Sequence, residues 1–512
     1  MGDALDRRPP AALAPSTRYT WERSPPTRRK TRPMQQLREV RVGVQPLERF
    51  RRIVGPGKLK EALAVARAAR ERLARRVVWN VSSTAVGGGV AEMLQSLLTY
   101  TRGIGIDTRW LVIAGTPEFF RVTKRLHHAL HGSAGGGIAL DAAAHRIYEQ
   151  TLESNAQEMS SLVRPGDVVI LHDPQTAGLA RSARAAGAHV IWRCHIGRDG
   201  PDEQARQGWE FLEPYLEEVS NFVFSRKTYV PELCDHGKSV VIQPSIDAFS
   251  PKNQMLSKDA VRTILVHTGI VEGPLPKRSD HGFVREDGTP GRVERRAEVV
   301  RMGRPPAWNT PLVVQVSRWD PLKDMQGVMQ GFVQLCGSTC PSRPELVLAG
   351  PEVSGVSDDP ERAEVFEQVV AAWRELPGGL RDRIHLVSLP TADIEENAAI
   401  VNALQRHASV IVQKSLREGF GLTVTEAMWK ARPVVASGVG GILDQIEDGV
   451  SGILLDDPSD LDCFSKALCD LLCHPERMKA LGRAGRDRVR ERFLGLDHLL
   501  KYAALLERID GS

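Results

Sequence analysis

The sequence predicts two doubly wound α/β domains facing each other across a cleft, and three observations carry that expectation. The chain has 512 residues, more than the roughly 250 to 300 that a single hydrophobic core supports. Short apolar, β-branched runs alternate with helix-length segments over two long stretches, the pattern of βαβ units and a parallel sheet covered by helices on both faces. Aromatic residues make up 5% of the chain while glycine occurs 45 times, a balance that suits an α/β fold with tight turns better than a β-sandwich or a disordered chain.

Residues 1–50 are rich in Pro and Arg, with Pro9-Pro10 and Pro25-Pro26, and show no sustained apolar period, so a mostly disordered leader is expected there. The net charge of +5 lies in that segment: residues 1–34 hold eight Arg or Lys against three acids, and 8 − 3 = 5. The remaining chain is balanced and makes no case for nucleic-acid binding. Glu61 to Arg76 has helical composition. Within an N-terminal domain over 51–260, strands are expected at Val77–Val81, Trp110–Ala114, Val168–His172, Val190–Cys194, Phe222–Phe224 and Val240–Ile242. Gly87-Gly88-Gly89 follows the first of them and opens a helix. It lacks the G-x-G-x-x-G dinucleotide spacing, although a phosphate could approach its backbone.

Gly273 to Pro311 is crowded with Gly, Pro and charge, so residues 261–310 read as an interdomain linker enlarged by an insertion. A second domain over 311–490 has expected strands at Leu312–Val316, Leu346–Ala349, His385–Val387, Val410–Val412, Val434–Ala436 and Ile453–Leu455. Residues 491–512 read as a C-terminal helix that could pack back on the N-terminal domain.

The stretch Ile411 to Ala431 carries the most chemistry. It leaves a strand, turns through Arg417-Glu418-Gly419-Phe420-Gly421 and enters a helix at Thr423. Helix-start N–H groups lack internal partners and the macrodipole is positive there, so a phosphate docks without needing a lysine, while Gly419 and Gly421 keep side chains out of its way. Glu418 and Glu426 flank that turn with seven residues between them. Thr423-Val424-Thr425-Glu426 also fits a capping box, in which Glu426 returns to the N-cap N–H, and both readings of Glu426 stay open. Arg318 and Lys323 follow the first strand of the same domain, each by itself an ordinary surface charge. On the same sheet edge as the Glu418 loop, the two together suit a diphosphate clamp, Arg supplying a planar fork and Lys a compact charge.

The seven cysteines, Cys194, Cys234, Cys336, Cys340, Cys463, Cys469 and Cys473, show no paired zinc spacing and suit reduced thiols in a cytoplasmic protein. Asp358-Asp359 and Asp456-Asp457 read as turn and cap residues, so no metal set is expected. A run of about 18 apolar residues is missing, so no membrane span is expected.

Arg318 and Lys323 after the strand, Leu346-Val347-Leu348-Ala349-Gly350-Pro351, and Glu418 to Glu426 followed by Ala427 to Pro433 together resemble the C-terminal half of retaining GT-B glycosyltransferases that use nucleotide sugars. Val78 to Thr84, Glu118 to Lys124, Leu171-His172-Asp173-Pro174-Gln175, Trp192-Arg193-Cys194-His195-Ile196 and Pro244-Ser245-Ile246-Asp247 resemble the trehalose glycosyltransferring synthases. The similarity covers roughly residues 76–260 and 310–505. It implies two Rossmann-like domains in the GT-B arrangement and glucose transfer from ADP- or UDP-glucose to glucose, giving trehalose. The nucleotide sugar would be a co-substrate, with no further cofactor. Carried over by position, Glu418 would hold hydroxyls of the donor sugar and Glu426 the ribose, while Arg318 and Lys323 neutralise the diphosphate. The Gly419-Phe420-Gly421-Leu422-Thr423 turn would supply phosphate-binding amides, and Gly88 and Gly89 would approach from the other domain. His195 would face the donor sugar and Asp173 would bind the acceptor. The expected partners are a small-molecule sugar donor and acceptor; a homodimer stays open. So do a different acceptor, a GT-B epimerase and a noncatalytic nucleotide-sugar-binding protein.

Overall fold

The computed structural model describes residues 37–510 apart from 87, 134–137, 201, 277–280, 338–341 and 354–359. Two seven-stranded sheets form its frame. The first contains β1 (Arg38–Val40), β2 (Val78–Ser82), β3 (Thr108–Val112), β4 (Val168–His172), β5 (His189–Cys194), β6 (Asn221–Phe224) and β7 (Ser239–Val241), in the order β1-β3-β2-β4-β5-β6-β7. A hairpin of β8 (Gly282–Val284) and β9 (Pro290–Arg292) precedes the second sheet. That sheet contains β10 (Glu298–Val300), β11 (Leu312–Val316), β12 (Glu345–Pro351), β13 (Ile384–Leu389), β14 (Val410–Gln413), β15 (Val434–Ser437) and β16 (Ile453–Leu455), ordered β10-β13-β12-β11-β14-β15-β16. Both are parallel except for their edge strands β1 and β10, which run antiparallel.

Each of the twelve strands expected from the sequence is present, with ends displaced by at most two residues. Parallel strands buried on both faces are mostly apolar along their length, and β2, β4 and β11 are buried at every position, their polar Asn80, Ser82, His172 and Gln315 included. Strand order reverses between β2 and β4 in one sheet and between β11 and β14 in the other. Doubly wound sheets bind ligands at such switch points.

Three expectations need correction or refinement. The leader does not run to residue 50: β1 adds to the edge of the first sheet, and a 3-10 turn at Leu47–Phe50 buries both of its ends. Phe50 packs against Tyr100 and Phe249, with ring centroids 5.1 and 5.3 Å away. Residues 1–36 lie outside the described residues. The span 261–310 is more than a linker. The helix Lys258–His267 contributes Val261, Ile264 and Leu265 to the same core as Ala399, Ile400 and Ala403 of the helix Ile394–His407, and β10 extends the second sheet. Its charges are used locally: Glu396, 1% exposed, accepts N–H bonds from Glu294 and Arg295, and the Arg285 guanidinium forks onto Asp393 and Glu395. The C-terminal helix Gly495–Asp510 lies with the N-terminal domain, where Ala503 and Leu505 share a core with Val78, Ile170, Ile191 and Val223.

Candidate active site

The loops leaving β11 and β14 meet at the switch point of the second sheet. After β11, Asp320 accepts the Leu322 N–H at 2.8 Å and starts the short turn Pro321–Lys323. This turn aims Lys323 at the β14 loop, where its Nζ lies 2.6 Å from Glu418 Oε2, both side chains being largely buried. Ser415 Oγ donates to the same carboxylate oxygen at 3.2 Å. Arg318 sits differently: its side chain is 62% exposed and pairs with Asp320 at 3.2 Å, at the rim of the centre. Behind the turn, Gln315 Nε2 donates to the Lys323 carbonyl at 2.7 Å, and the Lys414 ammonium, 1% exposed, pairs with Asp324.

Gly421 takes the left-handed conformation, φ 85°, and starts the helix Leu422–Trp429. This moves the N-cap two residues back, from Thr423 to Gly421, and removes the capping box, because Glu426 is then the fifth helical residue and out of reach of the N-cap amide. Thr423 Oγ1 donates instead to Gln413 Oε1 at 3.0 Å. The first intrahelical bond runs from Val424 N–H to Gly421 O, so the Leu422 and Thr423 amides precede the helical ladder. Glu426, 4% exposed, lies 3.7 Å from Lys252 Nζ, which also contacts Glu92 at 2.7 Å. Burial pushes the Glu426 carboxyl above its ordinary range, while Lys252 and Lys430 pull it back. Phe420 is a packing residue, its ring 6.0 Å from Phe493 and its carbonyl bonded by Gln445.

The N-terminal domain closes onto this loop. Tyr229 donates its hydroxyl to the Gly419 carbonyl at 2.7 Å, and Arg417 donates to the carbonyls of His131 and Gly132 at 3.1 and 2.7 Å. Arg226 binds Asp199 at 2.6 Å and Asp444 at 3.0 Å, joining the two halves. Gly88 precedes the helix that Gly89 opens, and a Cβ placed on Gly89 would stand 3.0 Å from Leu422 Cδ1. The two glycine turns therefore face each other directly; Gly87 lies outside the described residues.

His195 and Asp173 meet on the turn after β5. The His195 ring joins a relay: Arg193 Nε faces its Nδ1 at 3.5 Å, and its Nε2 lies 3.1 Å from His172 Nδ1. The second nitrogen of His172 lies 3.1 Å from Asn80 Oδ1. Because arginine can only donate, His195 carries its proton on Nε2 and donates to His172, which donates to Asn80. Asp173, in the left-handed region at φ 64°, accepts the His195 backbone N–H through Oδ1 at 2.7 Å. Burial raises its carboxyl to about 7.

Burial, then the Arg193 charge, holds His172 at about 3. An unfolded histidine titrates near 6.5. Above that pH the contribution to stability is constant; as pH falls towards 3, the unfolded chain binds a proton that the fold refuses, and stability is lost. His172→Gln should therefore flatten the acid limb, removing about 2 kcal/mol of the difference between pH 6.5 and 5. Urea-unfolding midpoints at the two pH values measure it, and an unchanged gap would refute the assignment.

Facing doubly wound sheets with a charged centre at their switch points define a GT-B glycosyltransferase, and solved structures of that kind share the fold. An alpha,alpha-trehalose-phosphate synthase (UDP-forming) from Burkholderia xenovorans superposes with a TM-score of 0.62 at 16% identity, covering 85% of this chain and 100% of its own. A sucrose-phosphate synthase from Thermosynechococcus elongatus gives 0.58 at 17% identity, covering 85% and 100%. Residues 80–231 match the family "Trehalose synthase, N-terminal domain", and residues 394–488 match "Glycosyl transferases group 1". Trehalose synthase from Pyrococcus horikoshii is 34% identical over 480 residues, 93% of this chain and 100% of the relative. That from Rubrobacter xylanophilus is 34% identical over 464 residues, 90% and 95% of the two chains. The chain belongs to the trehalose synthase family of glycosyltransferases. Trehalose phosphorylase from Pleurotus pulmonarius is more distant, 26% identical over 84% of this chain and 56% of its own length. Among the described residues no helix is long and apolar enough to cross a membrane.

Sequence reasoning missed His131, Tyr229, Lys252 and Lys414. Three of these act across the domain boundary, and the only local signal was the helical spacing of His127 and His131.

Proposed function

We propose that the protein is a retaining hexosyltransferase that moves glucose from ADP- or UDP-glucose to free glucose, forming α,α-trehalose. The observation that carries this reading is the Lys323–Glu418 pair at 2.6 Å beside the glycine turn and helix start. In the proposed reaction the bond between glucose C1 and the diphosphate oxygen breaks, a hydroxyl oxygen of the second glucose bonds to C1 on the same face, and its proton passes to the departing phosphate. Lys323, Arg318 and the helix-start amides stabilise the charge that develops on the leaving group. Glu418, held by Lys323 and Ser415, orients donor hydroxyls, and Glu426 takes the ribose. The co-substrate alone supplies the chemistry, with no metal or further cofactor. The free thiols among the described residues suit a reducing compartment, and we place the reaction in the cytoplasm.

Incubation with each nucleotide glucose and glucose, followed by chromatography, tests the reading. Trehalose with stoichiometric nucleoside diphosphate supports it, and donor hydrolysis without disaccharide overturns it. A parallel incubation of trehalose with inorganic phosphate decides whether the chain instead shares the activity in the name of its phosphorylase relatives.

Glu426 gives a second expectation. Without the Lys252 charge its carboxyl rises further, so a larger fraction is protonated as pH falls. Lys252→Met should weaken nucleotide-sugar binding by about five- to tenfold, and more at pH 6 than at pH 8. Calorimetric titration at both pH values measures this; a loss that does not depend on pH would assign Lys252 a packing role.

A further inference from the structure

The proposed reaction needs an acceptor hexose to approach Glu418 and Lys323 from the N-terminal domain, and the polar groups that domain brings there are largely committed. Asp173 holds the His195 amide, and the His195 ring lies in the Arg193–His195–His172 relay. The Tyr229 hydroxyl is bound to the Gly419 and Glu418 carbonyls. Asp199 binds Arg226, Thr228 and the Gly440 amide.

His131 is placed otherwise. It ends the helix Pro117–Leu130, with its N–H bonded to the carbonyls of His127 and His128 at 3.2 and 3.1 Å. Arg417, the residue before Glu418, holds its carbonyl, so the segment is fixed from both domains. A Cβ on Gly419 would stand 3.4 Å from His131 Cε1. The imidazole therefore lies against the turn that carries Glu418, backed by the His127 ring at 4.7 Å. The turn it lies against carries Glu418, which Lys323 holds at 2.6 Å.

We propose that His131 is the acceptor-binding residue of this centre: its imidazole, delivered from the N-terminal domain against Gly419, hydrogen-bonds a hydroxyl of the acceptor hexose beside Glu418. This inference rests on the glycosyl-transfer reading above. A neutral imidazole has one N–H and one lone pair, and that lone pair accepts from a sugar O–H. Burial holds the ring at about 4, so it is neutral at physiological pH and a weak base. Its role is to position the hydroxyl, while the proton goes to the departing phosphate.

The test compares His131→Ala and His131→Gln with the wild-type chain. In the alanine variant the KM for glucose should rise about five- to tenfold, while the Kd for the nucleotide sugar and the melting temperature stay as in the wild type. Glutamine, whose amide oxygen accepts a hydrogen bond, should recover part of the loss. An unchanged KM for glucose overturns the proposal. So does a loss that falls equally on donor binding, which would put His131 on the donor side. The two readings fail separately: absence of trehalose from the wild-type reaction overturns the proposed function, whereas the inference on His131 falls if the KM for whichever hydroxyl acceptor the wild type does use is the same in His131→Ala. A protein that uses no hydroxyl acceptor overturns both.

Discussion

Lys323→Ala is expected to lower the rate of glycosyl transfer roughly 10²- to 10³-fold, the loss seen when one preorganised donor to a developing anion is removed. Two effects combine. In the proposed reaction the leaving diphosphate loses a cation in a mostly water-excluded setting, where the Lys323 side chain is only 14% exposed. Glu418, which shares that ammonium at 2.6 Å, loses the partner that orients it. The decrease should appear in kcat more than in KM, because the charge on the diphosphate grows towards the transition state. Arg318→Ala provides the contrast. That guanidinium sits at the rim on Asp320 and must leave it to meet a diphosphate, so its loss should weigh more on the KM for the donor. The measurement is the initial rate of nucleoside diphosphate release over a range of donor concentrations. A Lys323→Ala variant with wild-type kcat would show that no diphosphate departs from this position.

The elements that proved legible in the sequence are those whose physics is local. Strands such as Val168–His172 and Leu312–Val316 are buried on both faces, and that burial writes itself as a continuous apolar run. The placing of Lys323 and the Glu418 loop on one sheet edge was also legible, because each follows a core strand of the same parallel sheet, although the ion pair between them was not. Strands β1, β8, β9 and β10 read Arg-Glu-Val, Gly-Phe-Val, Pro-Gly-Arg and Glu-Val-Val, with charge, Gly or Pro in place of the apolar run that marks β7 and β16, and their stability comes from the sheet edge or hairpin partner they join. Glu426 was ambiguous for a different reason. One left-handed residue, Gly421, sets the phase of the helix, and the capping box disappears with a shift of two positions. His131 and Tyr229 approach Arg417 and Gly419 over separations of 286 and 190 residues, and nothing in a local window encodes such a meeting. His195 followed a strand as expected, but its ring contacts with Arg193 and His172 depend on the pairing of β4 with β5.

Lys414 shows how stability and chemistry can be separated within this centre. A lysine at the end of an apolar strand ordinarily reads as a solvated charge, but this one is 1% exposed and paired with Asp324. Replacing it with methionine keeps the length of the side chain and leaves the Asp324 carboxylate without its partner, so unfolding free energy should fall by ~3–5 kcal/mol. Asp324 is in the left-handed region at φ 47°, where asparagine is also tolerated, and its Oδ1 accepts the Gly327 N–H at 3.1 Å, which an asparagine oxygen can still do. The double variant Lys414→Met/Asp324→Asn removes both charges while retaining that cap, and should recover most of the lost stability in urea unfolding. Its activity is the more informative readout. The turn carrying Lys323 is held independently, by Gln315 on the Lys323 carbonyl at 2.7 Å and by Asp320 on the Leu322 amide at 2.8 Å. Lys323 should therefore still reach Glu418, and kcat in the double variant should stay within a few-fold of wild type. A recovered fold with kcat lost to the level of Lys323→Ala would contradict this, because it would mean that the buried Lys414–Asp324 pair, and not the backbone bonds of the turn, sets the position of the Lys323 ammonium.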